Sequence, residues 1–204
     1  MHREKIIIMG HSFGGFLAAL YAVEYPDNVA KVILVSPAPL LRSPLPKDQQ
    51  LFSIIYGQLS PASKDEYSRL YDLNDIFTKD EKSLALQNKR FFRYYFEYLT
   101  NIGLQESVQK IRDLVDMDNI GGWLPQAYGM SVPETYDWTR SLSAITAPAI
   151  IVYGDRDICT EKMIRHYSDN MKNAAVFTIP QCGHWPFEEQ PEEFEKIVGD
   201  FLRK

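Results

Sequence analysis

Residues 5–21, KIIIMGHSFGGFLAALY, leave the chain few folds to choose from. Ile6, Ile7, Ile8 and Met9 form a short apolar run rich in β-branched residues, the pattern of a strand buried on both faces. Gly10-His11-Ser12-Phe13-Gly14 follows with no spacer and fits G-x-S-x-G. An apolar, alanine-containing segment over 15–24 then reads as a helix. Strand, tight turn and helix in that order put Ser12 on a sharp, strained turn with its hydroxyl presented at the strand end. Gly10, Gly14 and Gly15 omit side chains where helix and strand must approach closely. The helix N-terminus behind Ser12 offers N–H groups and a positive dipole end, and the Phe13 N–H is placed to donate to an oxyanion. The competing reading, a glycine-rich turn with an incidental serine, is disfavoured by the flanking pattern.

The next elements follow from breakers and periodicity. Pro26 disfavours helical geometry at Tyr25 and closes the first helix. Val29 to Val35, VAKVILV, is a second strand, so the opening is a βαβ unit with a parallel pair. From about residue 40 to 140 the character changes. Pro44, Pro46 and Pro61 mark a loop-rich entry, and helical patterns follow over 49–59, 64–73, 80–99 and 104–117. The third carries Phe91, Phe92, Tyr94, Tyr95, Phe96 and Tyr98, which predicts apolar surface on more than one side. Residues 120–125, IGGWLP, read as a turn-rich break.

The α/β pattern then resumes. Residues 149–153 are a third strand, with Gly154-Asp155-Arg156-Asp157 at its end. Thr160 caps a helix running to about Met171, and 175–179 is a fourth strand. A loop with Gly183-His184-Trp185 follows, and Pro191 opens a last helix with Phe194, Ile197, Val198, Phe201 and Leu202 at helical spacing. The expected class is α/β: a parallel sheet of about four strands flanked by helices. Residues 1–40 and 141–204 form its core, and 41–140 form a helical insertion in the position of a cap or lid.

Composition excludes several function classes. With 204 residues, 45% apolar and 24% charged, the chain can bury a sizeable core in one domain, or in a domain plus an insertion. The net charge of −5 and the lack of a basic run give no expectation of a nucleic-acid partner. No apolar run is long enough to span a bilayer, so no membrane partner is expected. MHREK is followed by too short an apolar run for a secretory leader. Cys159 and Cys182 read as two reduced thiols rather than a disulfide framework, and the expected location is cytoplasmic. No residue cluster suggests a metal site, and no cofactor is expected.

Three chemistry-bearing positions lie just past predicted strand ends: Ser12, an aspartate at 155 or 157, and His184. In a parallel sheet those ends share one rim, where sites are built. A serine hydroxyl needs a base within reach, a histidine can take and return its proton, and a buried carboxylate fixes the imidazole.

The order Ser, Asp, His is that of α/β-hydrolases. GHSFGG at 10–15, AVEYPDNVAKVILVSP at 22–37, PAIIVYGDRD at 148–157 and GHWPFEEQPEEF at 183–194 together resemble that superfamily, in the cap-bearing branch that contains proline iminopeptidases and related esterases. The resemblance implies a serine hydrolase cleaving an ester or amide through an acyl-enzyme. Ser12 would be the nucleophile, His184 the base and Asp157 the orienting acid, with the Phe13 N–H as one oxyanion donor. Its Gly-x-x-Asp pattern selects Asp157 over Asp155, leaving Asp155 as a loop carboxylate that bonds backbone N–H groups. The implied substrate is a small molecule or short peptide, either an N-terminal proline peptide or a small ester. Glu97, Glu134 or another carboxylate of the insertion would bind its ammonium. The aromatic segment reads as the insertion's own core, or more sharply as the wall of a substrate pocket. His11 is given no chemistry and is expected to support the elbow by packing and hydrogen bonds.

The resemblance also carries a departure. Its members hold several strands and helices before the elbow, including a second oxyanion donor whose loss costs about 10²–10³ in rate. Here the first strand is expected to be an exposed apolar edge that pairs with another chain completing the sheet, or with a second copy. The expectation is the C-terminal part of a hydrolase, truncated or one piece of a split or processed enzyme. The alternative function is a catalytically impaired fragment acting as a binding module.

Overall fold

The computed structural model describes residues 4–42, 53–70, 80–114 and 135–204. The first strand, β1 (Ile6–His11), passes directly into α1 (Phe13–Glu24), and β2 (Val29–Val35) returns parallel to β1 with Met9 opposite Ile33 and His11 opposite Val35. A two-residue strand, β3 (Leu41–Arg42), precedes the helices α2 (Ser53–Gln58), α3 (Pro61–Arg69), α4 (Glu81–Asn101) and α5 (Gln105–Leu114). Then come β4 (Tyr136–Asp137), a 3₁₀ segment (Thr139–Ala144), β5 (Ala149–Gly154), α6 (Glu161–Ser168), β6 (Ala174–Ile179), α7 (Pro186–Glu189) and α8 (Pro191–Arg203).

The main sheet has the order β1-β2-β5-β6, and all its pairings are parallel. β2 and β5 are central, and every residue of β5 is buried, as a continuous β-branched run between two helical layers requires. On one face Ile33, Val35, Ile150, Val152 and Ile179 pack with Cys182 and with Phe194, Ile197, Val198 and Phe201 of α8. On the other, α1 buries Phe16, Ala18, Ala19 and Ala22, small side chains that let it lie close to the strands. The Lys31 ammonium donates to the carbonyls of Phe201 and Leu202 at 3.0 and 2.8 Å, capping the negative end of α8. Thr160 caps α6 as its sequence predicts, accepting from the Met163 N–H at 3.4 Å.

The chain divides into two compact units, Met1–Pro44 with Glu134–Lys204, and Leu45–Pro133. The antiparallel β3–β4 pair ties the two points where the chain leaves and re-enters the first unit. The Tyr136 hydroxyl adds a bond to the Pro39 carbonyl at 2.9 Å. The expected boundaries at 40 and 141 therefore lie inside the first unit.

The second unit is helical, with no strand among its described residues. Glu97 of α4 accepts from the Ser60 N–H at 3.1 Å and the Ser63 hydroxyl at 2.8 Å, at the N-terminus of α3. Phe91, Phe92, Tyr94, Tyr95 and Tyr98 are buried, and the Tyr67 ring meets Phe91 and Tyr94. The aromatic segment thus takes part in the unit's own core. The predicted turn at 120–125 lies outside the described residues, as do the predicted helix ends at 49–52, 71–73 and 115–117.

β1 departs from the expectation of a strand buried on both faces. Ile6, Ile7 and Met9 are 45%, 52% and 58% exposed. The physical reason is position: among the described residues β1 pairs with one strand only, and the α8 layer packs on β2, β5 and β6. The expected apolar sheet edge is what the structure has. No helix among the described residues is long and apolar enough to cross a membrane.

Such an edge favours strand-to-strand association, and lysines blunt it. Ile7→Lys combined with Met9→Lys is expected to lower self-association in sedimentation velocity. Unfolding free energy should shift by no more than roughly 0.5 kcal/mol per site, as exposed positions allow. A doubly substituted chain that fails to fold would mean the two side chains are not exposed.

Candidate active site

Because β1, β2, β5 and β6 run parallel, their C-terminal ends lie along one rim. Ser12 follows β1 in a left-handed conformation, φ 53° and ψ −120°, which a non-glycine residue adopts at a cost of about 1–3 kcal/mol. Its backbone is held on both sides. The Ser12 N–H donates to the Val35 carbonyl at 2.9 Å, and its carbonyl accepts from Phe16 and Ala38 at 3.1 and 3.0 Å. The side chain does not cap α1, so the hydroxyl is not spent on the helix. A Cβ at Gly10 would sit 2.1 Å from the Gly14 carbonyl oxygen, so the elbow closes only over glycine there. Gly15 is also tight, with a Cβ 3.0 Å from Pro37. Gly14 differs from expectation: a Cβ there would meet no described atom within 4 Å. Phe13, the expected oxyanion donor, is the first residue of α1.

The turn after β5 is stitched to the loop after β6. Asp155 and Arg156 donate their N–H groups to the carbonyls of Ile179 and Cys182, both at 2.9 Å. The Asp155 carboxylate accepts from the Cys182 N–H at 3.3 Å, the loop role its sequence position suggests. Gly154 makes this approach possible, since a Cβ there would lie 2.1 Å from the Cys182 carbonyl oxygen and 2.3 Å from that of Gly183. The outcome is a buried pair. His184 Nδ1 lies 2.7 Å from Asp157 Oδ1, and the same oxygen accepts from the Cys159 N–H at 2.8 Å. A carboxylate acceptor assigns the proton to Nδ1 and leaves Nε2 as the basic nitrogen.

His11 reaches the same loop from the elbow. Its Nε2 donates to the His184 carbonyl at 2.7 Å, and its ring centroid is 4.8 Å from that of His184. Burial, and next the neighbouring His184, pull its pKa from 6.5 down to about 3, against the opposing effect of the carbonyl bond. His11 is therefore a neutral, structural imidazole, in keeping with its expected support of the elbow. Glu189 had no expected role. It is buried, and its two oxygens accept from the Gly183 and Trp185 N–H groups at 2.7 and 2.9 Å. In sequence it sits among other acidic residues; a carboxylate five positions after the histidine, at the end of a one-turn helix, was the available signal.

Ligand atoms of Asp157, Cys159 and His184 lie within 4.8 Å of one another. They are already committed to each other: the imidazole bonds the carboxylate, and the Cys159 thiol donates to the Ser36 carbonyl at 3.5 Å. Burial, and then the Asp157 charge, push the Cys159 thiol well above its usual range, away from the thiolate a metal would need. Cys159 and Cys182 are both buried, and neither is in a disulfide. Glu134 lies outside the described residues, and Glu97 has both oxygens engaged within the helical unit.

Residues 2–191 match the family model described as alpha/beta hydrolase fold. The chain is similar to a proline iminopeptidase of Lactobacillus delbrueckii subsp. bulgaricus, at 27% identity over 98% of this chain and 65% of the relative. It is also similar to a 2-hydroxy-6-oxo-6-phenylhexa-2,4-dienoate hydrolase of Comamonas testosteroni, at 26% identity over 98% of this chain and 64% of the relative. Among solved structures, a thermophilic esterase from Thermogutta terrifontis shares the fold, with a TM-score of 0.60 and 23% identity over 98% of this chain and 65% of that one. The chain thus spans about 65% of the length of the curated relatives it matches.

His11 gives a pH test. Its folded pKa of about 3 lies below the unfolded 6.5, so the unfolded chain binds the proton more readily in between. Its contribution is fully present above 6.5 and is lost as pH falls toward 3, at up to about 1.4 kcal/mol per pH unit. Urea unfolding followed across that interval is expected to show a shallower acid loss for His11→Gln than for the parent. Parallel curves would remove His11 as the source.

Proposed function

The chain belongs to the alpha/beta hydrolase fold family, and from that premise we propose that it cleaves an ester or amide bond through an acyl-enzyme, with Ser12, His184 and Asp157 as its triad. The observation that carries this reading is the buried 2.7 Å bond between His184 and Asp157, on the rim that also bears the left-handed Ser12.

In this mechanism the Ser12 hydroxyl oxygen attacks the substrate carbonyl carbon while its proton passes to His184 Nε2. The carbonyl π pair moves onto oxygen, and the Phe13 N–H at the start of α1 donates to that oxyanion. The tetrahedral species collapses, the bond to the leaving alcohol or amine breaks, and Nε2–H returns the proton to it. Water then attacks the acyl-serine with Nε2 as base, releasing the acid and restoring Ser12. Asp157 holds Nδ1–H throughout and stabilises the imidazolium formed in each half-reaction.

The substrates this reading favours are small: peptides with an N-terminal proline, for which the similarity to the Lactobacillus enzyme speaks, or simple esters. Both oxygens of Glu97 are engaged, which turns the search for an ammonium-binding group to other carboxylates. A cytoplasmic setting agrees with two buried cysteines that are not joined by a disulfide.

The exposure of Ile6, Ile7 and Met9 favours a second reading, in which the chain acts only when another polypeptide or a second copy covers β1.

A fluorophosphonate probe separates the two. Under the first reading the probe labels the parent, labelling vanishes in Ser12→Ala, and Asp157→Asn lowers kcat on p-nitrophenyl acetate by about 10⁴. A parent that stays unlabelled while folded would defeat activity of this chain alone.

A further inference from the structure

We propose that Glu189 is a positioning residue for His184, clamping the backbone N–H groups of the residues on either side of it so that the imidazole is aimed before substrate arrives. This rests on the reading of His184 as the base. The two bonds that define the clamp flank the histidine. Glu189 Oε2 accepts from the Gly183 N–H at 2.7 Å and Oε1 from the Trp185 N–H at 2.9 Å. The backbone is tied again at the same place, because the Glu189 N–H donates to the Trp185 carbonyl at 2.8 Å. His11 supplies the remaining point through its 2.7 Å bond to the His184 carbonyl. The backbone at His184 is thereby held through the Gly183 N–H, the Trp185 N–H and its own carbonyl, and Asp157 sets the rotation of the ring.

The chemistry selects a carboxylate. Two N–H donors converge on one side chain that is only 1% exposed, so both ends of that side chain must accept. A glutamine would present its NH₂ to one of them, donor against donor, and an apolar residue would leave the buried Gly183 N–H and the part-buried Trp185 N–H without this acceptor. Charge-assisted bonds of this length are also the stronger kind, which suits a clamp rather than a filler. Simple packing would be satisfied by any side chain of the same shape. That difference makes the idea testable, since Glu189→Gln keeps the shape and removes one acceptor.

The experiment compares the parent with Glu189→Gln and Glu189→Asp by steady-state kinetics on p-nitrophenyl acetate. It adds proton–nitrogen NMR of the Gly183 and Trp185 amides and of the low-field His184 Nδ1 proton. The expected result for folded Glu189→Gln is a kcat lowered on the order of 10²-fold with KM retained, as misplacement of a reacting group produces. The His184 Nδ1 resonance should be displaced as well. Parental kcat would overturn the proposal, and so would a lowered kcat with the His184 and amide resonances unmoved. If neither variant folds, the parent decides by hydrogen exchange. Protected Gly183 and Trp185 amides are expected, and rapidly exchanging ones overturn the clamp. If the parent fails to turn over ester, the reading of His184 as base fails separately, and the NMR signatures still judge the clamp.

Discussion

The bond between His184 and Asp157 depends on a steric vacancy one turn away. The loop after β6 can lie against the end of β5 only because Gly154 has no side chain there; a Cβ would collide with two consecutive carbonyl oxygens. Once the loop is admitted, the carbonyls and N–H groups of 179–182 pair with the 155–156 turn, which leaves Asp157 pointing at the histidine. A buried, unpaired carboxylate would cost several kcal/mol, and the bonds from Cys159 and His184 to Asp157 Oδ1 offset part of that cost, while Oδ2 is buried without a hydrogen-bond partner among the described residues. Packing admits the loop, the backbone sets its register, and the register delivers the chemistry.

What the sequence made legible were features with a local cause. VAKVILV and AIIVYG are strands because their β-branched side chains must be buried on both faces, and they sit at the centre of the sheet. Thr160 and Pro191 announce helix starts through one side chain each. The choice of Asp157 over Asp155 came from the resemblance, and it is the Asp157 carboxylate that lies 2.7 Å from the His184 imidazole.

What stayed hidden depends on partners distant in sequence. β3 and β4 are two residues long and about ninety positions apart, too short for any periodicity to register. Glu189 lies in EEQPEE, a run that reads as solvated surface; its burial follows only from the single turn of α7 folding back on the histidine loop. Ile7 and Met9 have the composition of an interior strand; the exposed edge expected of β1 came instead from the elements that the resemblance places before it, and the sheet order puts β1 at the rim of the layer.

The charges around His184 form a consistent set. In the proposed reaction its ring must carry a positive charge in passing. The His11 ring is 4.8 Å away, and a second cation at that separation would oppose the first by roughly 3 kcal/mol at an effective dielectric of about 20. Burial keeps His11 neutral, so the penalty does not arise, and the same neutral ring still donates the proton that holds the His184 carbonyl. Desolvation therefore serves two ends at one residue. It removes a competing charge and preserves a donor, while Asp157 holds the imidazole of the base and Glu189 holds the backbone of the loop that carries it.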